Sequence, residues 1–390
     1  MSGIEIAILV FSFLLLLALG VPITVSISLS ALFTLSVNIL FVPSVTTIAQ
    51  RMINGIDSFT LLAIPFFILA GQIMNTGGIA ARLIAFAKEI VGPIRGGLIF
   101  VNIISCTLFG AISGSAAAAA SAIGSILTGK MEKEGYDKGF TTAANVTSAT
   151  TGLLIPPSNV LIVYSLAAGG LSIGALFVAG YIPGLLLLVL VMGGIVGGFF
   201  TATEASAIAV LYTVILSAIY KELTRKNLRK ILIQSSITTS IVLLLVATSS
   251  AMSWTMSYGD LPQSISESLL SITDNPVVVL ILINVLLLLV GIFMDITPAI
   301  LIFTPIFLPV VQSFGIDPIH FGIIMVLNLC IGLCTPPVGN LLFVGASVAN
   351  ISFQKILKPM IPLYVVMLLV LILIMLFPQL SLWLPGLFNI

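Results

Sequence analysis

The residues of this chain that can do chemistry fall into two sets, about 180 positions apart. The first contains Ser113, Gly114 and Ser115 in ISGSAAAAASAIG and the stretch GLLIPPSNVL, residues 152–161. The second contains Asp295 and Thr297 in GIFMDITPAI and the stretch GLCTPPVGNL, residues 332–341. Their chemistry is the holding of ions rather than the making of bonds. Hydroxyls beside freed carbonyls and amides form a neutral, oxygen-rich site suited to sodium and a carboxylate. A close-packed helix kink is the alternative reading of the SGS stretch. Asp295 is costly in an apolar run unless it pairs or binds a cation, and its alternative role is to cap a helix ahead of Pro298. Each double proline, Pro156-Pro157 and Pro336-Pro337, removes backbone donors inside an apolar segment. With Gly152 or Gly332 ahead and Asn159 or Gly339-Asn340 behind, each pair unwinds a helix locally. Freed carbonyls at membrane depth survive only where protein or a polar cavity covers them, so two such breaks at matching positions point to an ion and substrate site.

The elements that position these residues follow from composition. Of 390 residues, 59% are hydrophobic and 7% charged, which is too little polar surface for a soluble globule. The apolar runs are continuous rather than alternating, so the expected fold is an all-α polytopic membrane protein and not a barrel. Segments run through about 4–20, 21–41, 59–78, 96–128, 141–168, 173–192, 202–220, 231–257, 277–314, 321–350 and 359–377, taking ~20 residues per crossing. Gly110 aligns with Gly291 and Pro22 with Thr203 at nearly the same offset, so the repeat spans the chain. Lys88, Arg95, Lys130, Lys133 and Lys138 flank segment 96–128 on both sides, whereas no lysine or arginine occurs from Ile231 to Gln354. By the positive-inside rule, 96–128 is a re-entrant hairpin from the cytoplasm and 277–314 one from outside. The two halves, 1–192 and 193–390, are then inverted repeats, each with a hairpin and a helix broken at a Pro-Pro, and both termini lie outside. The scaffold helices of the first half occupy about 1–95. One place breaks the count: Gly193 to Phe200 would span about 12 Å as helix against a core of about 30 Å. Residues are therefore expected to be missing between Met192 and Gly193.

Other residues exclude other functions. There is no HExxH, no phosphate loop and no catalytic triad pattern, so no enzyme is expected, and a net charge of +1 argues against nucleic-acid binding. Cys106, Cys330 and Cys334 read as small buried hydrophobes without a metal cluster. Glu204 and Asp57 are expected at helix starts and His320 on the surface. The cluster Lys221 to Lys230 reads as a topology anchor. The start, MSGIEIAILVF, reads as a retained helix rather than a secretory signal.

Together, GLLIPPSN and GLCTPPVGN, SGSAAAAASAIGS, DSFTLLAIPFFILAGQIMNTGGIA, FTATEA and GIFMDITPAILIFTPIFLP resemble the large membrane component of tripartite ATP-independent periplasmic (TRAP) transporters, over essentially the whole chain. The resemblance implies a bacterial inner-membrane secondary transporter of the elevator type, importing organic acids such as C4-dicarboxylates or sialic acid. It implies a small four-helix membrane subunit and a periplasmic substrate-binding protein as partners, and two sodium ions as coupling ions. Carried over by motif, one sodium site would use Ser113 and Ser115 with Gly152, Pro156 and Asn159. The other would use Asp295 and Thr297 with Gly332, Thr335 and Gly339. Substrate would meet Ser113, Ser115, Asn159, Asp295 and Asn340. Ala202 replaces the proline usual before TEA in that family, and Ala119 stands where some members carry aspartate. A stand-alone sodium/dicarboxylate symporter, and a channel or structural membrane subunit, are the alternatives.

Overall fold

The computed structural model describes residues 3–57, 59–76, 79–93, 96–156, 158–180, 202–219, 224–270, 273, 275–336 and 339–388. Every regular element among them is a helix. Hydrocarbon demands this, because each backbone N–H and C=O must be satisfied within its own segment.

The chain begins with α1 (Gly3–Ala18), α2 (Ile23–Leu35) and α3 (Phe41–Ile56), and a 3-10 turn at Phe59–Leu62 leads into α4 (Ala63–Thr76) and α5 (Ile79–Val91). Hairpin one is α6 (Gly97–Ser113) and α7 (Ala116–Lys133). The first broken helix is α8 (Lys138–Thr151) and α9 (Asn159–Ala167), followed by α10 (Ile173–Ala179). The second half repeats the order: α11 (Ala202–Ile219), α12 (Arg225–Tyr258) and α13 (Leu261–Leu270), then hairpin two, α14 (Pro276–Phe293) and α15 (Ile296–Ser313). The second broken helix is α16 (Pro318–Leu333) and α17 (Asn340–Ala349), and α18 (Gln354–Leu376) and α19 (Gln379–Leu387) close the described chain.

Local chemistry sets the helix starts, and it repeats as well. Asp137 caps α8 by accepting the Phe140 N–H at 2.7 Å, and Asp317, 180 positions later, caps α16 by accepting the Ile319 N–H at 2.7 Å. Ser115 and Asp295 cap the second arms of the two hairpins. Each cap satisfies a backbone donor that the helix itself leaves orphaned.

Packing follows the same two-fold plan. The first arm of each hairpin lies on the first half of its own broken helix, α6 on α8 and α14 on α16. A buried asparagine pair crosses each of these seams. Asn102 donates to Asn145 Oδ1 at 3.1 Å, and Asn328 donates to Asn284 Oδ1 at 2.6 Å. The second arms pack on their own broken helices, α7 on α8 and α15 on α16, and also reach across to the other half, α7 on α17 and α15 on α9. Reciprocal exchange of this kind is what a two-fold relation produces. The Cys330 thiol donates to the Thr150 carbonyl at 3.6 Å, and since these are counterpart positions the contact lies beside the pseudo-axis. Tyr164 of α9 locks the halves together, its hydroxyl 2.7 Å from the Pro318 carbonyl and its ring against Gly322, where a Cβ would come within 2.2 Å.

Around this unit, α2, α3 and α4 pack on α12, and α4 packs on α11. Arg51 of α3 stacks over the Trp254 ring of α12 at 4.6 Å. Outward faces carry exposed apolar residues such as Phe11, Leu14, Val365 and Leu369, as lipid contact requires.

Several expectations change. Sequence reading ends the last apolar segment at residue 377, and the structure adds α19, which folds over the start of α16. His320 is consequently buried, 2% exposed, with Nδ1 2.6 Å from the Ser381 hydroxyl, and is not a surface residue. Asp57 closes α3 rather than opening an α-helix. Glu204 does fall in the first turn of α11. All three cysteines are free and buried as expected. The Met192–Gly193 junction and Lys221 lie outside the described residues, as does the boundary between the halves.

Candidate functional site

Tip one is built by glycine geometry. Gly114 ends α6 with φ +63, a left-handed conformation that L side chains rarely adopt, and its N–H returns to the Gly110 carbonyl at 2.8 Å. Ser113 and Ser115 flank it, half-buried. Ser115 Oγ accepts the Ala118 N–H at 3.2 Å, so its cap role and its lone-pair capacity coexist.

The first break faces this tip. After Thr151 the chain passes through buried Gly152, and the Leu153 and Leu154 amides bond back to Thr150 and Thr151 at 3.0 and 3.1 Å, closing the helix end. Pro156 is buried, Ser158 restarts the helix as the cap of α9, and its hydroxyl donates to the freed Leu153 carbonyl. Gly152 and Gly110 touch backbone to backbone: a Cβ on Gly152 would stand 2.7 Å from the Gly110 Cα. Asn159 presses on the tip, since a Cβ on Gly114 would stand 2.2 Å from Asn159 Nδ2. Asn159 Oδ1 is buried and has no hydrogen-bond partner. A buried amide oxygen without a donor costs roughly 1–3 kcal/mol, so a position beside two serines asks for a cation or a polar ligand.

Tip two and its break repeat the backbone with other side chains. Gly291 and Gly332 touch as their counterparts do, with a Cβ on Gly332 2.6 Å from the Gly291 Cα. Gly339, at φ +42, donates its N–H to the Ile292 carbonyl at 3.3 Å and ties the break to the hairpin. Asp295 caps α15, accepting the Ile296 N–H at 2.8 Å, and is otherwise exposed. Its capping role is thus observed. Thr297 is half-buried in the first turn, and Asn340 is exposed at the start of α17. Thr335 donates its hydroxyl to the Ile331 carbonyl at 2.7 Å, and half-buried Pro336 follows. The Cys334 carbonyl, freed by the break, accepts the Tyr364 hydroxyl of α18.

The structure therefore brings Ser113, Ser115, Gly152, Pro156 and Asn159 into one cluster. At the second hairpin it ties the break to the first arm through Gly332 on Gly291 and Gly339 on Ile292, with Asp295 and Thr297 at the start of the second arm and Asn340 at the start of α17. The breaks run side by side at the Thr150–Cys330 contact. A cavity of about 390 Å³ lined by Glu5, Asn38, Thr255 and Asp260 lies away from both clusters. Among the described residues no group of histidines, cysteines or acids has the makings of a transition-metal site.

Sequence reasoning missed Gly71 of α4, against which Ser113 rests; a Cβ there would come 2.9 Å from the Ser113 Cα. It also missed the four asparagines of the seams and Tyr364. The asparagines carried a legible signal, being isolated amides in apolar runs at nearly the repeat offset.

Comparison with known proteins places this architecture. The family model described as the Tripartite ATP-independent periplasmic transporter, DctM component, matches residues 10–194 and 185–380. The chain is 52% identical to the uncharacterized protein YgiK of Salmonella typhimurium, covering 92% of each. It is 37% identical to the sialic acid TRAP transporter large permease protein SiaM of Vibrio cholerae, covering 87% of this chain and 89% of that one. It is also 37% identical to the C4-dicarboxylate TRAP transporter large permease protein DctM of Pseudomonas aeruginosa, covering 89% and 91%. Among solved structures, the Alcanivorax borkumensis YdaH transporter superposes with a TM-score of 0.66 at 12% identity, covering 85% of this chain and 87% of that one, which is a likeness of fold.

Proposed function

Because the chain belongs to the DctM-component family of tripartite ATP-independent periplasmic transporters, and so is a transporter permease rather than an enzyme, we propose that it imports a small organic acid by coupling to sodium. The observation that carries this reading is the partnerless, buried Asn159 Oδ1 beside Ser113 and Ser115. A sodium ion there would be held by Asn159, the two serine hydroxyls and carbonyls of the Gly152–Pro156 turn. A second would be held by Asp295 and Thr297 with carbonyls from Gly332, Thr335 and Gly339. Sodium supplies positive charge beside the substrate carboxylate, which otherwise crosses the membrane at a prohibitive cost.

The protein's own groups supply the rest. The half-helices α9 and α17 begin at the breaks, and their N-terminal dipole ends attract a carboxylate near Asn159 and Asn340. Ser113, Ser115 and Asp295 at the tips complete the substrate contacts. The named relatives act on sialic acid and C4-dicarboxylates, so those two classes are the first to test. As in a tripartite family, a small membrane subunit and a periplasmic binding protein deliver the substrate, in a bacterial inner membrane with both termini outside. The hairpins and broken helices move as one body against α2–α4, α11 and α12, as an elevator.

The gap inferred after Met192 has support. The two family matches meet over residues 185–194. The Salmonella alignment runs over 400 residues while taking in 92% of this 390-residue chain. The relative therefore carries roughly 40 positions absent here, enough for one crossing of ~20 residues and a connector.

The test is uptake of labelled succinate or sialic acid into proteoliposomes holding the chain and its small subunit, with its binding protein outside. Uptake under an inward sodium gradient, and none under potassium, is expected. Equal uptake in both salts overturns the coupling. Uptake undiminished without the binding protein identifies a stand-alone symporter, and flux without saturable counterflow identifies a channel.

A further inference from the structure

At the far end of hairpin one from its tip, α5, α6 and α7 enclose a cavity of about 200 Å³. Its floor is apolar: Ile84, Leu98, Val101 and Leu127 are each buried. Its mouth is cationic. Lys88, in the last turn of α5, and Lys130 and Lys133, in the last turn of α7, line it together with Glu134, and all four are exposed. Among the described residues the ion pair formed is Lys138–Glu132 at 3.1 Å, which leaves the three lysines unpaired.

From this arrangement we infer a binding site for an anionic phospholipid of the cytoplasmic leaflet, its phosphate among Lys88, Lys130 and Lys133 and the first carbons of a chain on the apolar floor. Three cations around one acid leave the mouth net positive, which favours a net-negative headgroup over a zwitterionic one. A free phosphate would gain nothing from a floor of isoleucine, leucine and valine, whereas an acyl chain gains by every methylene it buries there. The lysines lie at the end of α5 and of α7, beside the start of the apolar α6, and the positive-inside rule assigns that level to the cytoplasmic leaflet. The position matters because α5 joins α4 to hairpin one and packs on both hairpin arms. A lipid seated there braces the hairpin against its lead-in helix. This inference is independent of the sodium sites, and its test does not read transport.

The full chain, purified in detergent with any subunit that accompanies it, is titrated with phosphatidylglycerol, with phosphatidylcholine and with inorganic phosphate while Tm is recorded. Phosphatidylglycerol alone is expected to raise Tm. The triple variant Lys88→Gln/Lys130→Gln/Lys133→Gln should need roughly 100-fold more of it for the same shift, taking each lysine at its usual membrane-surface worth. The same positions changed to arginine should respond as the unaltered chain does, and so should Lys226→Gln/Lys230→Gln, which removes exposed charge from the start of α12. All of these side chains are exposed, so the variants keep the fold, and a Tm without lipid equal to the parent's confirms it. The inference is overturned if the glutamine triple variant responds normally, or if the α12 variant loses as much. It is overturned equally if phosphatidylcholine or inorganic phosphate matches phosphatidylglycerol, or if no lipid shifts Tm.

Discussion

Hairpin one with its break and hairpin two with its break are the same backbone device carrying different chemistry. In both, a glycine pair brings hairpin and broken helix into backbone contact, Gly110 with Gly152 and Gly291 with Gly332. In the first, the amide beside the tip is Asn159, buried and lacking a partner. In the second, the counterpart position is Gly339, the amide one residue on, Asn340, is exposed, and the acid at the tip already spends an oxygen on its own helix. The freed carbonyls differ too: Ser158 serves the first break from within, and Tyr364 reaches the second from α18. Small residues fix the geometry that the halves share, while the polar residues have diverged into an enclosed cluster and an open one.

The comparison breaks most severely at the glycines. Gly152→Val and Gly332→Val should each cost about 3 kcal/mol or more through overpacking against backbone and abolish uptake. Thermal stability and transport measured together would show it, and tolerance at either position would mean that the two seams are not equivalent. Next in size is the amide. Asn159→Ala should raise the sodium concentration for half-maximal uptake by roughly 10–100-fold, whereas Asn340→Ala should change it by less than about threefold. Equal effects at both would erase the distinction between enclosed and open clusters.

Asp295 separates capping from ligation. Asp295→Ser should keep stability within about 0.5 kcal/mol, because serine also caps, while weakening sodium activation about tenfold. Normal sodium activation in that variant leaves the residue as a cap alone. The smallest effect is expected at Tyr364→Phe, which leaves the Cys334 carbonyl without its donor and should cost about 1 kcal/mol in thermal unfolding. Ser158→Ala should cost about 2 kcal/mol, because it removes the cap of α9 together with the donor to the Leu153 carbonyl.

Much of this was legible because bilayer physics leaves few choices. Long apolar runs had to be helices, and the doubled prolines had to break two of them, so both breaks lie at GLLIPPSN and GLCTPPVGN, while the hairpins were read from the lysines and arginines that flank 96–128 and are absent around 277–314. The amphipathic helices α3, α5 and α13 were missed because a search for apolar runs passes over half-polar ones, and α19 because its nine residues are too short for a crossing. His320 was misplaced for that reason, since its cover is α19. Within the site, the residue types could name an oxygen-rich cluster. That Asn159 would be enclosed and Asn340 exposed depends on which side chains cover each break, and α18 and α4 supply that cover from far along the chain.

One asymmetry outside the site has a mechanical consequence. Where the first half divides its chain into α3, a 3-10 turn and α4, the second runs unbroken through the 34 residues of α12. That rod is about 51 Å long, against a hydrocarbon core of about 30 Å. It also packs on α15, the second arm of hairpin two. Its first two turns carry Arg225, Lys226, Arg229 and Lys230 and so extend beyond the hydrocarbon, and any change in the tilt of the rod is delivered to hairpin two. Lipids with longer or shorter acyl chains should accordingly disturb hairpin two before hairpin one, so that membrane thickness acts on the two halves unequally.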